Sequence, residues 1–339
     1  LVCITPQLWE PLHGRTVLFT GGTGFIGRWM VETLAVAADE FSFEVEVIHA
    51  GRRPVDAGWI VSLQALGMRF RGLQADVLHR LPDIGRSAFL VHAATDASAK
   101  LNAEDPGRML DTIVQGTRNA LEWAGRGQVE RSLFLSSGAV YGGGVPGFDR
   151  PEDLMTGPDP LSPSSAYAEG KRVAEQLCAI ACQTGQVPHV SIARCFAFVG
   201  PLLPLDTHFA IGNFIRDGLQ GRPFVIRGDG TAVRSYLYAG DLAIWLWTIL
   251  LRGGSLRPYN VGSHRGVTIR ELADIVASRF DDAGAIEVMG ARSAGPVDHY
   301  VPSTARARAE LGLEAWTSLE MAIDQTIDWY RSRTTRERR

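Results

Sequence analysis

The segment Thr20-Gly21-Gly22-Thr23-Gly24-Phe25-Ile26-Gly27 constrains this chain more than any other. It follows a short apolar, β-branched run, Arg15-Thr16-Val17-Leu18-Phe19-Thr20, which has the character of a buried parallel strand. It opens a run with helical spacing of apolar residues, Phe25 to Ala38. Glycines at G-x-x-G-x-x-G spacing between a strand and a helix have a physical reading. Gly21 permits the tight turn, Gly24 lets the backbone approach a pyrophosphate, and Gly27 lets the helix lie close to the sheet. The helix N-terminus adds free N–H groups and a partial positive charge for phosphate oxygens. In that setting the pattern predicts a dinucleotide site. Its expected contacts are Gly21, Thr23, Gly24, Phe25, Ile26 and Gly27.

Strand and helix patterns alternate through the first 200 residues. Strands are expected at residues 44–48, 69–73, 88–92, 132–136 and 190–194, and helices at 104–125 and 164–184. Such alternation implies right-handed crossovers and a doubly wound parallel sheet. The regularity stops near Gly200-Pro201, where Pro and Gly accumulate, and later helices are expected at 212–219, 241–251, 269–280 and 318–331. The fold class is therefore α/β: a doubly wound parallel sheet with a smaller C-terminal lobe. The cofactor domain takes residues 1–200 with return segments at about 235–262. The lobe takes about 201–234 and 263–335, and the basic tail 331–339 is expected to fray.

Composition removes other classes. Lys and Arg number 34 against 37 Asp and Glu, a net charge of −3, so the basic excess of a nucleic-acid binder is missing. The apolar run Leu242 to Leu251 is too short for a membrane span, which takes about 20 residues. Residues 1–6 lack a basic region followed by an apolar stretch, so no signal peptide is expected and the setting reads as cytoplasmic. Cys3, Cys178, Cys182 and Cys195 form no C-x-x-C pair and have no adjacent His cluster. They read as inert thiols, and no metal is expected.

At the end of the second strand a dinucleotide site commonly places Asp or Glu on the ribose 2′-hydroxyl. Here the chain runs His49-Ala50-Gly51-Arg52-Arg53. Two guanidinium groups suit a 2′-phosphate and favour NADP, with NAD as the alternative. Asp76 and Val77, after the third strand, are expected near the adenine. Ala93, Ala94 and Thr95, after the fourth, are expected where small residues admit the cofactor. Tyr167 and Lys171 stand i, i+4 on one helix face. A phenol titrates near ~10, and a neighbouring ammonium is expected to lower that value and make the pair a proton-transfer device. Both side chains are also cofactor candidates. Ser137, at a strand's C-terminal end, is the candidate hydrogen-bond donor to the reacting oxygen.

Taken together, Thr20 to Gly27, Ser136-Ser137-Gly138-Ala139-Val140-Tyr141-Gly142, the Tyr167/Lys171 pair and Arg194 with Gly200-Pro201 resemble the extended short-chain dehydrogenase/reductases. The run from Gly228 to Asp241 and Tyr259-Asn260-Val261-Gly262 are similar to the nucleotide-sugar branch. The resemblance spans about Arg15 to Tyr330. It implies a Rossmann domain, a lobe for a nucleoside-diphosphate sugar, and a homodimer. It also implies that Arg234, assisted by Arg292, holds the diphosphate, with Asn213 and Phe214 at the diphosphate or base.

The departures narrow the chemistry. The 4,6-dehydratases of this family carry Thr-Asp-Glu at the place of Ser137-Gly138-Ala139, so the acid and base of water elimination are missing. Ile113 and Ala197 replace frequent asparagines, and Ser235 replaces the aspartate after Arg234. His208 and His299 are weak candidates for extra acids. The expectation is oxidoreduction at sugar C4, leaning to an NADPH-dependent 4-ketoreductase, with an NAD-dependent 4-epimerase as the alternative.

Overall fold

A computed structural model of the chain describes residues 5–95, 99–143, 147–207, 209–282, 284–291 and 295–337. Six strands occur in the first 195 residues: β1 (Arg15–Thr20), β2 (Val45–Gly51), β3 (Arg69–Gln74), β4 (Phe89–His92), β5 (Arg131–Ser137) and β6 (Val190–Cys195). With Pro258–Val261 they make a seven-stranded sheet in the order Pro258–Val261, β6, β5, β4, β1, β2, β3. The pairs among β1 to β6 are parallel. This is the expected doubly wound α/β fold, with order reversal at β1 and β4. Four residues of β1 and all of β4 are buried, which explains why these strands read as continuous apolar runs.

The helices of this part are α1 (Pro6–Trp9), α2 (Phe25–Glu40), α3 (Ala57–Ala65), α4 (Ala99–Glu104), α5 (Pro106–Arg126) and α6 (Ala166–Gln183). One face of the sheet, with Leu18, Ile48, Leu90, Phe134 and Ile192, packs on Ile113, Trp123, Ala174 and Cys178 of α5 and α6. The expected helix 104–125 is α5, and the separate short α4 precedes it. Pro106 cannot continue α4, and it starts α5 behind Asp105, whose carboxylate accepts the Arg108 N–H at 3.0 Å. The second strand runs three residues further than expected, through His49-Ala50-Gly51, because it pairs with β1 and β3 on both sides.

The contacts divide the chain into two units, each described alone. The first comprises Leu1–Gly142, Thr156–Cys195 and Ala243–Tyr259. The second comprises Gly143–Met155, Phe196–Leu242 and Asn260–Arg339. The boundaries differ from those read in sequence. Residues 143–155 join the second unit because Arg150 pairs with Pro302 and its carbonyl accepts from Asn260 Nδ2 at 2.7 Å. Within the second unit Phe224–Ile226 pairs with Ile286–Val288. Val233–Arg234 lies between Val267–Thr268 and His299–Tyr300. These strands of two or three residues are too brief for a periodic signal. The last helix runs Leu319–Glu337, so the tail expected to fray continues as helix.

Candidate active site

The glycine loop has the geometry its spacing predicts. Gly21 has φ +76°, and a Cβ there would lie 2.6 Å from the Ala93 carbonyl carbon and oxygen. A Cβ on Gly27 would lie 2.2 Å from the Gly21 oxygen, so α2 can approach the loop only without a side chain. Gly24 meets nothing closer than that same oxygen, at 3.4 Å. Internal packing therefore does not demand glycine there. Its bare backbone leaves the mouth of α2 open beside exposed Thr23, and the first-turn amides have no intrahelical acceptors. The residues present fit a dinucleotide pyrophosphate.

Arg52 and Arg53 directly follow β2, and both are exposed. Asp56 caps α3, accepting the Trp59 N–H at 2.7 Å. His49, on the last turns of β2 and 1 % exposed, has neither ring nitrogen hydrogen-bonded. It stacks on Phe70 and lies under Gly22 and Gly51. Beside this edge Asp76 accepts the Leu78 N–H at 3.0 Å, so the carboxylate is partly used in shaping its own turn. Val77 is buried; Asn119 Nδ2 donates to its carbonyl at 2.7 Å, and a Cβ on Gly116 would meet its side chain at 3.1 Å. Gly116 and Asn119 of α5 thus support the 76–77 loop, a role that sequence reading did not detect.

Thr95 and the reactive residues are joined by contacts. Lys171, 3 % exposed, donates to Thr95 Oγ1 at 2.9 Å and to the Leu135 carbonyl at 2.7 Å. Tyr167 is half-buried, and Ser137 is the neighbouring side chain that favours its ionised form. Ser137 Oγ also accepts the Ala139 N–H at 3.1 Å. One expectation is corrected here. Burial pushes the Tyr167 phenol up to about 12, only partly opposed by Ser137, rather than down. Burial also draws Lys171 down to about 8. The ammonium lies 5.9 Å from the phenol ring centroid, bonded to other partners. Ile113 is buried against Gly170, an apolar contact between α5 and α6.

His92 was not singled out by sequence reading. It lies at the end of β4, with Nδ1 2.7 Å from Thr20 Oγ1 and Nε2 3.3 Å from Thr117 Oγ1. The Thr117 hydroxyl donates to the Ile113 carbonyl, so Nε2 must carry the proton and Nδ1 must accept from Thr20. This relay ties β1, β4 and α5 together behind the cofactor edge. Burial pushes Cys195 up to about 12 and Cys178 higher still, in keeping with inert thiols.

In the second unit, Arg234 donates to the Asp298 carboxylate at 2.5 Å and lies over the Tyr300 ring at 5.9 Å. Asn213 accepts from Arg216 at 3.0 Å. Phe214 is a correction: its side chain is 2 % exposed and packs on Phe224, so it belongs to the core. Arg292 and His208 lie outside the described residues. His299 is bound to Asp149 at 3.0 Å. Among the described residues no group of His, Cys, Asp and Glu is placed to hold a metal ion, and no helix is long and apolar enough to cross a membrane.

The Rossmann sheet, the glycine loop and the Ser137–Tyr167–Lys171 set define an enzyme of the extended short-chain dehydrogenase/reductase type. The chain belongs to the NAD dependent epimerase/dehydratase family, whose model matches residues 17–262. Among characterised relatives, UDP-glucuronic acid decarboxylase 1 of Arabidopsis thaliana is 29% identical over 95% of this chain and 71% of its own. The dTDP-glucose 4,6-dehydratase DesIV of Streptomyces venezuelae, solved with NAD, superposes with TM-score 0.78 at 25% identity, over 94% of this chain and 98% of that one. The UDP-glucose 4-epimerase of Thermus thermophilus, also solved with NAD, gives 0.74 at 26% identity, over 93% and 99%.

Proposed function

We propose that this enzyme reduces a 4-keto nucleoside-diphosphate sugar at C4 with NADPH. The observation that carries the reading is Ser137, beside Tyr167 of α6 and at the head of a turn, Gly138–Tyr141, that bears no carboxylate. Proton donation to a carbonyl oxygen is provided for, whereas acid and base for elimination are not. NADPH, when bound, supplies the hydride. Tyr167 donates its proton to the carbonyl oxygen, and Ser137 holds that oxygen by a hydrogen bond. Lys171 keeps a positive charge close to the developing alkoxide. Gly21, Gly24 and the α2 N-terminus would hold the pyrophosphate, and Arg52 and Arg53 a 2′-phosphate. Arg234 would leave Asp298 for the sugar-nucleotide diphosphate, assisted by Arg292, with the Asn213 side chain beside it. A homodimer remains part of this reading: exposed Val173 and Ile180 stand one heptad apart on α6 and offer an apolar stripe to a second copy.

A second reading, an NAD-retaining 4-epimerase, is favoured by the NAD in both named solved structures. Dinucleotide released from purified, denatured enzyme is identified by mass, and oxidation of NADPH is followed with a 4-keto-6-deoxy sugar nucleotide. Cofactor-free protein that consumes NADPH only with the keto sugar is the expected result. Stoichiometric retained NAD with C4 inversion, or carbon dioxide from UDP-glucuronic acid, would overturn it.

The phosphate assignment has its own check. In an Arg52→Ala/Arg53→Ala variant the Kd for NADPH should rise about tenfold to a hundredfold, with that for NADH moving less than about twofold, since a charged bidentate contact is lost. Calorimetric titration of both nucleotides measures this, and an unchanged NADPH/NADH ratio would reject the role.

A further inference from the structure

Helix α6 grips the end of β5 at successive points. Lys171 Nζ donates to the Leu135 carbonyl at 2.7 Å, and Arg172 donates to the Val140 carbonyl at 3.1 Å. Two turns after Tyr167, Glu175 accepts from Ser136 Oγ at 2.6 Å. The Glu175 carboxylate also receives a forked pair from Arg194 of β6, Nε at 3.0 Å and Nη2 at 2.7 Å. Arg194 Nη1 then reaches the Tyr141 hydroxyl at 2.9 Å, at the other end of the turn. Both charged side chains are only 14% exposed. A buried ion pair recovers little net stability after desolvation, but it does select one arrangement of the groups around it.

We propose that Glu175 and Arg194 are positioning residues for the reactive centre. Their ion pair clamps the turn on both sides of Ser137, through Ser136 and Tyr141, and so sets the register at which Ser137 meets Tyr167. The inference rests on the reading of Ser137 and Tyr167 as the reactive pair. It explains why three side chains of one helix, at 171, 172 and 175, each hold a different residue of the segment 135–140. Neither Glu175 nor Arg194 touches the reacting atoms. Their effect passes through Ser137.

Ser136→Ala removes one hydroxyl and keeps the ion pair, and Tyr141→Phe does the same at the far end. Glu175→Gln strands the Arg194 charge and can cost the fold, so the milder variants keep the test decisive. Hydrogen exchange of the intact enzyme needs no substrate. In Ser136→Ala and Tyr141→Phe the amides of 137–142 should exchange about tenfold faster, with the glycine loop and α2 unchanged, because local opening energies are regional. With the keto sugar, kcat should fall about five- to twentyfold with KM and the NADPH Kd held within about twofold, the signature of misplacement rather than lost binding. Glu175→Gln should also move the basic limb of the pH profile to lower pH, since that carboxylate favours the Lys171 ammonium. Cys178 on α6, Cys195 on β6, His92 on β4 and Tyr167 also face Lys171 and are unchanged by it. Ser136→Ala should leave that limb where it is. Wild-type exchange across 137–142, or a kcat loss matched by equal losses in NADPH affinity and thermal stability, would overturn the proposal. Tyr167→Phe run in parallel separates the two failures. If it keeps turnover, the reactive pair is misassigned. If it is inactive while Ser136→Ala is normal, only the positioning role fails.

Discussion

Replacing Tyr167 with Phe should lower kcat by about a thousandfold or more while leaving the NADPH Kd within about twofold, given what positioned general acids contribute. The ring stays, so the packing of α6 on the sheet is kept, and only the hydroxyl beside Ser137 goes. A phenol pushed up to about 12 by burial is fully protonated at neutral pH. It is therefore ready to give a proton to a carbonyl oxygen and poorly able to take one. The direction of shift gives the pH dependence. Reduction should be insensitive to the phenol from pH 6 to 9. It should weaken above about 8 as Lys171, drawn down to that value by burial, loses its charge. The reverse oxidation should instead climb with pH, because it needs the scarce phenolate. Stopped-flow single turnover at saturating NADPH reads the chemical step. A Tyr167→Phe rate above a tenth of wild type would remove the tyrosine from the mechanism.

The placement of Tyr167 and Lys171 was legible because its signal is local. Tyr167 and Lys171 share a helix face by spacing alone, and Gly21 and Gly27 declare themselves between a strand and a helix. Because β2 runs to Gly51, Arg52 and Arg53 directly follow the strand end, closer than the expected strand 44–48 put them. The supporting residues were not legible, since their meaning comes from partners far along the chain. Glu175 depends on Ser136 and Arg194, Asn119 on Val77, and His92 on Thr20 and Thr117. Phe214 shows the opposite error: a motif position suggested a ligand contact, and burial against Phe224 decided the matter. The phenol shift was misjudged because spacing places the ammonium near Tyr167 but shows neither the burial that pushes the phenol up nor that Thr95 and the Leu135 carbonyl hold the ammonium.

Those hidden histidines carry the second large expected effect, a steep loss of stability in mild acid. His92 is 4 % exposed and burial, reinforced by the Lys171 charge, draws it down to about 3. His49 is 1 % exposed and burial draws it down to about 4. Both are neutral in the folded chain at pH values where the unfolded chain, with histidines at 6.5, takes up protons. The unfolded state then binds more protons, so stability falls as pH drops through 6.5 toward the folded values. Well below 6.5 each site contributes a slope of about 1.4 kcal/mol per pH unit, and the two together remove on the order of 4–5 kcal/mol by pH 4.5. That is a large part of a stability of roughly 5–15 kcal/mol. His189, half-buried and drawn down by burial and then by Arg131, adds a smaller share of the same sign. Protonating His92 would also put a second N–H at Thr20 Oγ1, whose hydroxyl now donates to Nδ1, and loosen the relay between β1, β4 and α5. Thermal unfolding followed by circular dichroism from pH 8 to 4.5 measures the effect. Tm should be nearly level above 7 and drop steeply below 6. In a His49→Leu/His92→Gln variant the slope between pH 6.5 and 5 should shrink by about half or more, whatever its absolute Tm, because two of the three linked protons are gone. A wild-type Tm that stays level down to pH 5 would mean that these histidines are not held neutral by the fold.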